Sequence, residues 1–136
     1  GDQLASISEE ITEMYASMDD PQEFLLHDIR FHRAVAAAAA NPILASLVEM
    51  VSELFYEQRR RTANRASDLK EAAEHHRAIY NALRSHDADR ARQAMDAHLS
   101  AARERQQDEA GRMAGIAGMS ELQTFEVVRV RAAAGK

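Results

Sequence analysis

The chain has 136 residues, a formal charge of −5 and no cysteine, a size that allows one domain with its own core. Its acidity argues against this segment gripping nucleic acid by itself, and the lack of thiols excludes disulfide staples, thiolate metal sites and a cysteine nucleophile. No stretch approaches the roughly 20 apolar residues that span a bilayer, and no basic-then-apolar start resembles a signal peptide, so a soluble cytoplasmic protein with no membrane partner is expected.

Between Asp2 and Ala110 there is no glycine, and the only prolines are Pro21 and Pro42. Long stretches of helix formers without breakers predict an all-α fold. Leu4, Ile7, Ile11, Met14 and Met18 recur every three or four residues and predict a first helix with one apolar face. Asp20-Pro21-Gln22-Glu23 predicts the start of a second: Asp20 caps, Pro21 takes the first helical position and Glu23 completes a capping box. This helix runs to about Ala40. Asn41-Pro42 repeats the signal and opens a third helix, which carries Leu44, Leu47, Val48, Val51, Leu54 and Phe55 and ends near Arg61. Asp68 with Glu71 offers the cap of a fourth. His86-Asp87 breaks the pattern, and Asp87 caps a fifth helix running to about Glu109.

The charges are uneven along this series. No Lys or Arg precedes Arg30, while Arg59, Arg60, Arg61 and Arg65 cluster in the middle, where cations complement a helix end on a solvated face. Gly111, Gly115 and Gly118 end the helical composition, and the segment from Phe125 to Val130 has strand-like composition. The expected organisation is a helical domain over residues 1–110 and a tail of unassigned structure over 111–136.

Four polar residues sit where apolar ones belong. The second helix buries a stripe near Phe24, Phe31 and Val35; Asp28 lies within it and His32 beside it, one turn apart on one face. The fourth buries Ala72, Ile79 and Leu83, and His76 falls in that stripe. The fifth buries Ala91, Met95 and Ala102, and His98 falls there too. Heights along the helices agree. His76 is 11 residues before Asp87 and His98 is 11 after it, so in an antiparallel hairpin turning there both stand about 16 Å from the turn. The midpoint of Asp28 and His32 is likewise 11 residues before Asn41.

An ionised Asp is costly to bury unless it is paired, and a cation supplies the pairing. Three neutral imidazoles and one carboxylate suit a single divalent transition metal ion, zinc first, with nickel, cobalt, iron or manganese also suited, better than calcium or magnesium. The alternative is a hydrogen-bonded set of core histidines with Asp28 as an ion-pair partner. His75 points about 100° away from His76 and reads as a supporting or surface group.

Asp28-Ile29-Arg30-Phe31-His32, Asn41-Pro42, Glu74-His75-His76-Arg77-Ala78-Ile79, Asp87 and Ala97-His98-Leu99 together resemble the ligand-binding FCD domain of FadR-type regulators in the GntR family, over about residues 3 to 105. The resemblance implies an antiparallel bundle of six or seven helices around a central metal site, with Asp28, His32, His76 and His98 as its ligands. It also implies a small carboxylate effector reaching the ion, and operator DNA bound as a homodimer through a separate N-terminal winged-helix domain. The sequence departs from the pattern in three ways. Neither the winged helix nor the first helix of the ligand domain is present, His86 stands where glycine is common, and the tail has no counterpart.

Two functional classes follow. The first is the sensing domain of a bacterial transcription regulator, with the metal as an anchor and no enzymatic activity. One divalent ion and one Asp leave a charge of +1, which favours an anion: a hydroxy acid, a dicarboxylate or a sugar acid. The second is a metal-dependent hydrolase of the HD-phosphohydrolase type, suggested by His27-Asp28 and His86-Asp87. Adjacent residues diverge by about 100° on a helix, so His27 is expected to leave the core that Asp28 enters. A di-iron oxidase would use Glu-x-x-His pairs, and the chain has none.

Overall fold

The computed structural model describes the backbone of residues 1–60 and 66–134, and the side chains within them except those of residues 58, 66, 67 and 118–134. Among the described residues there are five helices and no strand: α1 (Asp2–Ala16), α2 (Pro21–Ala38), α3 (Pro42–Arg59), α4 (Ala66–Arg84) and α5 (Ala88–Ala134). They fall into two units, Gly1–Leu99 and Ser100–Lys136. The first carries α1 to α4 and the opening turns of α5.

The caps sit where local chemistry requires them. Asp20 Oδ1 accepts from the backbone N–H of Gln22 and Glu23 at 3.1 and 3.2 Å, and Pro21 follows it into α2. The capping box is only half made. The Asp20 N–H goes to the Ser17 carbonyl, and the Glu23 side chain reaches His27 instead. Asn41 Oδ1 caps α3 through Ile43 and Leu44, both at 3.1 Å. Asp87 caps α5 through the Arg90 N–H at 2.9 Å. Asp68 does not cap α4, because the helix already includes Ala66 and places Asp68 in its first turn. Arg61 and Arg65, from the basic cluster, lie outside the described residues.

The core of the first unit joins α1, α2 and α4. Ile7, Ile11 and Met14 meet Phe24 and Phe31 of α2 and Leu69, Ala72, Ala73 and Ile79 of α4. Val35, Leu83 and Met95 pack partly buried around them. α3 behaves differently. It packs on α2, but Ser52 is its one fully buried residue among those described, with Ala45, Val48 and Val51 half-buried. Leu44, Leu47, Leu54 and Phe55 of the expected apolar stripe are exposed.

The second unit corrects the reading of the tail. α5 does not stop near Glu109 but continues to Ala134, so the strand-like segment from Phe125 to Val130 lies in a helix. No described glycine adopts a positive φ, and a Cβ at Gly111 or Gly115 would meet nothing within 4 Å. An isolated helical glycine costs only about 1 kcal/mol relative to alanine, and the Ala, Met, Glu and Leu around these positions outweigh it.

Two non-glycine residues enter the left-handed region, each just after a helix: Ala40 at φ 51° and His86 at φ 55°. After α4 the His86 N–H donates to Leu83 O and the Asp87 N–H to Ala82 O, the paired bonds of a Schellman turn. A Cβ in this region costs about 1–2 kcal/mol, of which glycine's extra chain entropy returns part. Ala40→Gly and His86→Gly are therefore expected to stabilise the fold by about 0.5–1 kcal/mol each. Ala39→Gly, at φ −71°, is expected to destabilise it. Urea melts followed by circular dichroism measure all three. Losses in all three variants would show that neither turn is strained.

Candidate metal centre

α2 delivers Asp28 and His32 from successive turns of one face, α4 delivers His76, and α5 delivers His98. The four residues meet, each offering one donor atom, and these atoms all lie within 4.8 Å of one another. His76 Nε2 is 2.9 Å from Asp28 Oδ1, and His32 Nε2 is 3.4 Å from the same oxygen. His32 Nε2 is also 3.4 Å from His76 Nε2 and 3.2 Å from His98 Nε2. His76 and His98 are buried, while Asp28 and His32 keep partial exposure. The expected levels hold: the His76 and His98 rings face each other with centroids 4.3 Å apart.

Apolar packing fixes the rings. Phe31, fully buried on α2, sets its ring edge-on to His32 and His76, at centroid distances of 5.4 and 4.5 Å. The sequence marked Phe31 as core but held no sign that it walls the site. His75 stands close by, its ring 6.0 Å from that of His98 and its Nε2 3.9 Å from Glu71 Oε1.

The cluster does not satisfy itself by hydrogen bonding. Asp28 Oδ1 is buried and makes no well-formed hydrogen bond, although His76 Nε2 approaches it to 2.9 Å. The Nδ1 atoms of His76 and His98 are also buried and unpartnered. If the protons sit on Nδ1, the Nε2 lone pairs converge on one another and on a carboxylate, which is repulsive. If they sit on Nε2, N–H groups crowd together and the Nδ1 acceptors remain orphaned. A cation among the Nε2 and Oδ1 atoms removes the first conflict, so the donor set fits a metal ion. It leaves the two Nδ1 groups without the outer hydrogen bonds that metal-bound histidines usually make.

Ionisation favours the same occupant. Burial pushes the Asp28 carboxyl up, but the adjacent His76 and His32 together hold it well below the usual carboxylate range. Burial pushes His76 down against the pull of Asp28. Burial, followed by repulsion from His76 and His32, pushes His98 down to about 3. Near neutral pH the cluster is thus one carboxylate with two buried neutral imidazoles, the forms a metal requires.

The His-Asp pairs that suggested a hydrolase go elsewhere. His27 leaves the cluster, as its 100° divergence from Asp28 demands, yet it is buried against α1 rather than turned to solvent. Its Nδ1 lies 2.7 Å from Glu10 Oε2 and its Nε2 3.3 Å from Glu23 Oε1. The spacing of Glu23 and His27 was legible as a one-turn pair; the tertiary partner Glu10 was not. His86-Asp87 forms the α4–α5 turn, where His86 is exposed and Asp87 serves as a cap.

The FCD domain family matches residues 1–101. The chain is 34% identical over 92 residues to the galactonate operon transcriptional repressor of Escherichia coli (strain K12), covering 67% of this chain and 40% of that protein. It is 32% identical over 102 residues to the HTH-type transcriptional repressor NanR of Edwardsiella tarda (strain FL6-60), and 30% identical over 107 residues to NanR of Klebsiella aerogenes. Each of these two matches covers 72% of this chain and 38% of the relative. The chain thus spans about two fifths of the length of the curated relatives it matches.

The lowered histidines set the acid stability of the chelator-treated protein. Unfolded histidine titrates near 6.5 and folded His98 near 3, so between these values the unfolded chain holds more protons and stability falls as the pH falls. His76 acts in the same direction. Each contributes a slope of up to about 1.4 kcal/mol per pH unit, and Asp28 adds further loss only below about pH 4. Urea melts at pH 7, 6 and 5 are expected to show this loss, and His98→Gln is expected to flatten it. An equally steep acid limb in that variant would mean that His98 is not held neutral by burial.

Proposed function

The chain belongs to the FCD domain family, and from that premise we propose that it is the effector-sensing part of a bacterial transcription regulator of the GntR type, acting in the cytoplasm as a sensor and not as an enzyme. In this reading Asp28, His32, His76 and His98 hold one divalent transition metal ion, and a small organic acid binds to it. The observation that carries the reading is the buried Asp28 oxygen, which makes no well-formed hydrogen bond, set among three imidazole nitrogens. Zinc is the first candidate, with nickel, cobalt, iron and manganese also compatible with nitrogen-rich donors.

The bound ion supplies positive charge and open coordination positions. Everything else comes from the chain. His76 and His98 are kept neutral by burial and so stay available as donors. Phe31 keeps the His32 and His76 rings in orientation. One Asp against a divalent charge leaves +1, which in a site of low dielectric favours an anion. A carboxylate with a neighbouring hydroxyl or second carboxylate offers two donor oxygens and is the preferred class. The operon repressed by one relative is named for galactonate, a hydroxy acid of this class. Operator DNA falls to a winged-helix domain outside this sequence, with residues 1–110 as the sensing domain and the remainder of α5, to Ala134, appended to it. The relatives are repressors, and neither His27-Asp28 nor His86-Asp87 offers the paired ligands of a hydrolase.

Purified protein is expected to carry about one transition ion per chain by elemental analysis, and His76→Ala and His98→Ala are each expected to lose most of it. Full occupancy in both variants would rule out this ligand set. In a thermal-shift screen, organic acids are expected to stabilise the metal-loaded protein far more than the stripped one. The gain is about 2.7 kcal/mol at one hundred times the dissociation constant. Equal stabilisation of both forms would show that the metal is not the anchor.

A further inference from the structure

α4 carries two consecutive histidines, and the cluster uses only His76. His75 borders the buried stripe of the helix, three residues after Ala72 and four before Ile79, and its side chain is 25% exposed. Its ring lies 6.0 Å from that of His98, at 61°, yet His75 is not among the four residues whose donor atoms converge. It stands beside His98 on the outside of the group. The pairs His32–His98 and His32–His76 show the spacing that hydrogen-bond range requires here: their nitrogens are 3.2 and 3.4 Å apart and their centroids 5.2 Å apart. The His75 ring lies 0.8 Å beyond that spacing from His98. A partly exposed side chain closes such a gap by a small rotation, while His98 stays buried.

We propose, on the premise that the cluster holds a metal ion, that His75 is a positioning residue for His98: it accepts the Nδ1–H of His98 and directs its own ring N–H to Glu71. Three observations select this role. The first is an orphaned atom. His98 Nδ1 is buried without a hydrogen-bond partner. When Nε2 faces a cation the ring proton sits on Nδ1, so that atom becomes a buried donor that requires an acceptor. The second is the chemistry of the neighbour. A neutral imidazole offers one acceptor nitrogen and one N–H, so His75 can take a hydrogen bond from His98 and give one onward; a lysine or arginine at this position would offer donors alone. The third is the carboxylate one turn earlier on α4. Glu71 Oε1 lies 3.9 Å from His75 Nε2. An N–H directed to that oxygen fixes the tautomer in which the other nitrogen of His75 is the acceptor. The hydrogen bonds then run in one direction, from His98 through His75 to Glu71, the kind of outer support that holds a ligand ring in orientation and makes it a stronger donor to an ion.

Titration of the metal-stripped intact chain with cobalt(II), in competition with a chelating indicator, tests it. His75→Ala is expected to weaken the hold on the ion about 10–100-fold. His75→Gln, whose amide oxygen accepts in place of the ring, is expected to recover most of that loss. Glu71→Ala is expected to weaken binding less. The double variant His75→Ala/Glu71→Ala is expected to bind no worse than His75→Ala, because both changes act through one hydrogen bond. In the cobalt-loaded protein the ring N–H protons of the bound histidines give strongly shifted NMR signals that disappear in D2O. One of them is expected to exchange slowly in the wild type and in His75→Gln, and rapidly in His75→Ala. Circular dichroism verifies that each variant stays folded. A His75→Ala chain that holds cobalt as tightly as the wild type would overturn the proposal, as would a His75→Gln chain no tighter than His75→Ala. Additive losses in the double variant would overturn the part assigned to Glu71. A wild-type chain that takes up no ion would sink the metal reading and this proposal together, whereas one ion per chain, held with an affinity indifferent to position 75, sinks this proposal alone.

Discussion

Everything in the first unit is arranged around one costly placement, a carboxylate on the inward face of α2 at the level where apolar side chains pack. Asp28 is shielded by His32 on its own helix and His76 on α4, with His98 on α5 closing the group. An isolated ionised carboxylate there would be destabilising by several kcal/mol. The nearby imidazoles His76 and His32 offset part of that, but His76 and His98 are themselves pushed toward neutrality by the same burial. The polar cluster is under-satisfied by its own members, and that is the physical reason to read it as a candidate binding site.

The elements that place the cluster are short and local. Asp87 and the left-handed His86 fix where α4 ends and α5 begins, and from that point equal counts of residues bring His76 and His98 opposite each other. Asn41 and Ala40 do the same for the end of α2, and Asp20 sets its start. A register error of one residue in any of these helices would rotate a ligand by about 100° and carry it away from the cluster. Capping polar groups, worth about 1 kcal/mol each in stability, therefore determine geometry well beyond their own energy.

Much of this was legible because the governing signals are local in sequence. Proline at the first helical position, Asx caps and the three-to-four spacing of apolar residues located the starts of α2, α3 and α5. The polar intruders in those stripes located the site. The misses have equally definite causes. Asp68 imitates a cap that α4 does not use. Glycines at 111 and 115 suggested an end, but a helix end needs a left-handed residue and its carbonyl bonds, not glycine content alone. Glu10 as the partner of His27, and Phe31 as the wall of the cluster, depend on which helices become neighbours. The outward apolar side of α3 was misjudged for a related reason: periodicity finds a stripe but does not say whether the covering surface belongs to the same chain.

α2 ties these features together. On one side it carries both of its cluster residues; one position before Asp28, His27 is held between Glu10 of α1 and Glu23; one position after His32, Arg33 grips Glu49 of α3. These three contacts leave the helix in three directions, because consecutive residues diverge by about 100°. A rotation of α2 that drew Asp28 and His32 closer to an ion would therefore strain the clasp to α1 and the bridge to α3 at once. The Arg33–Glu49 pair is exposed on both sides and yields readily, since such pairs contribute little. The buried His27–Glu10 contact, at 2.7 Å, yields less. Of the two clasps, the bridge to α3 is thus the weaker and the contact with α1 the firmer.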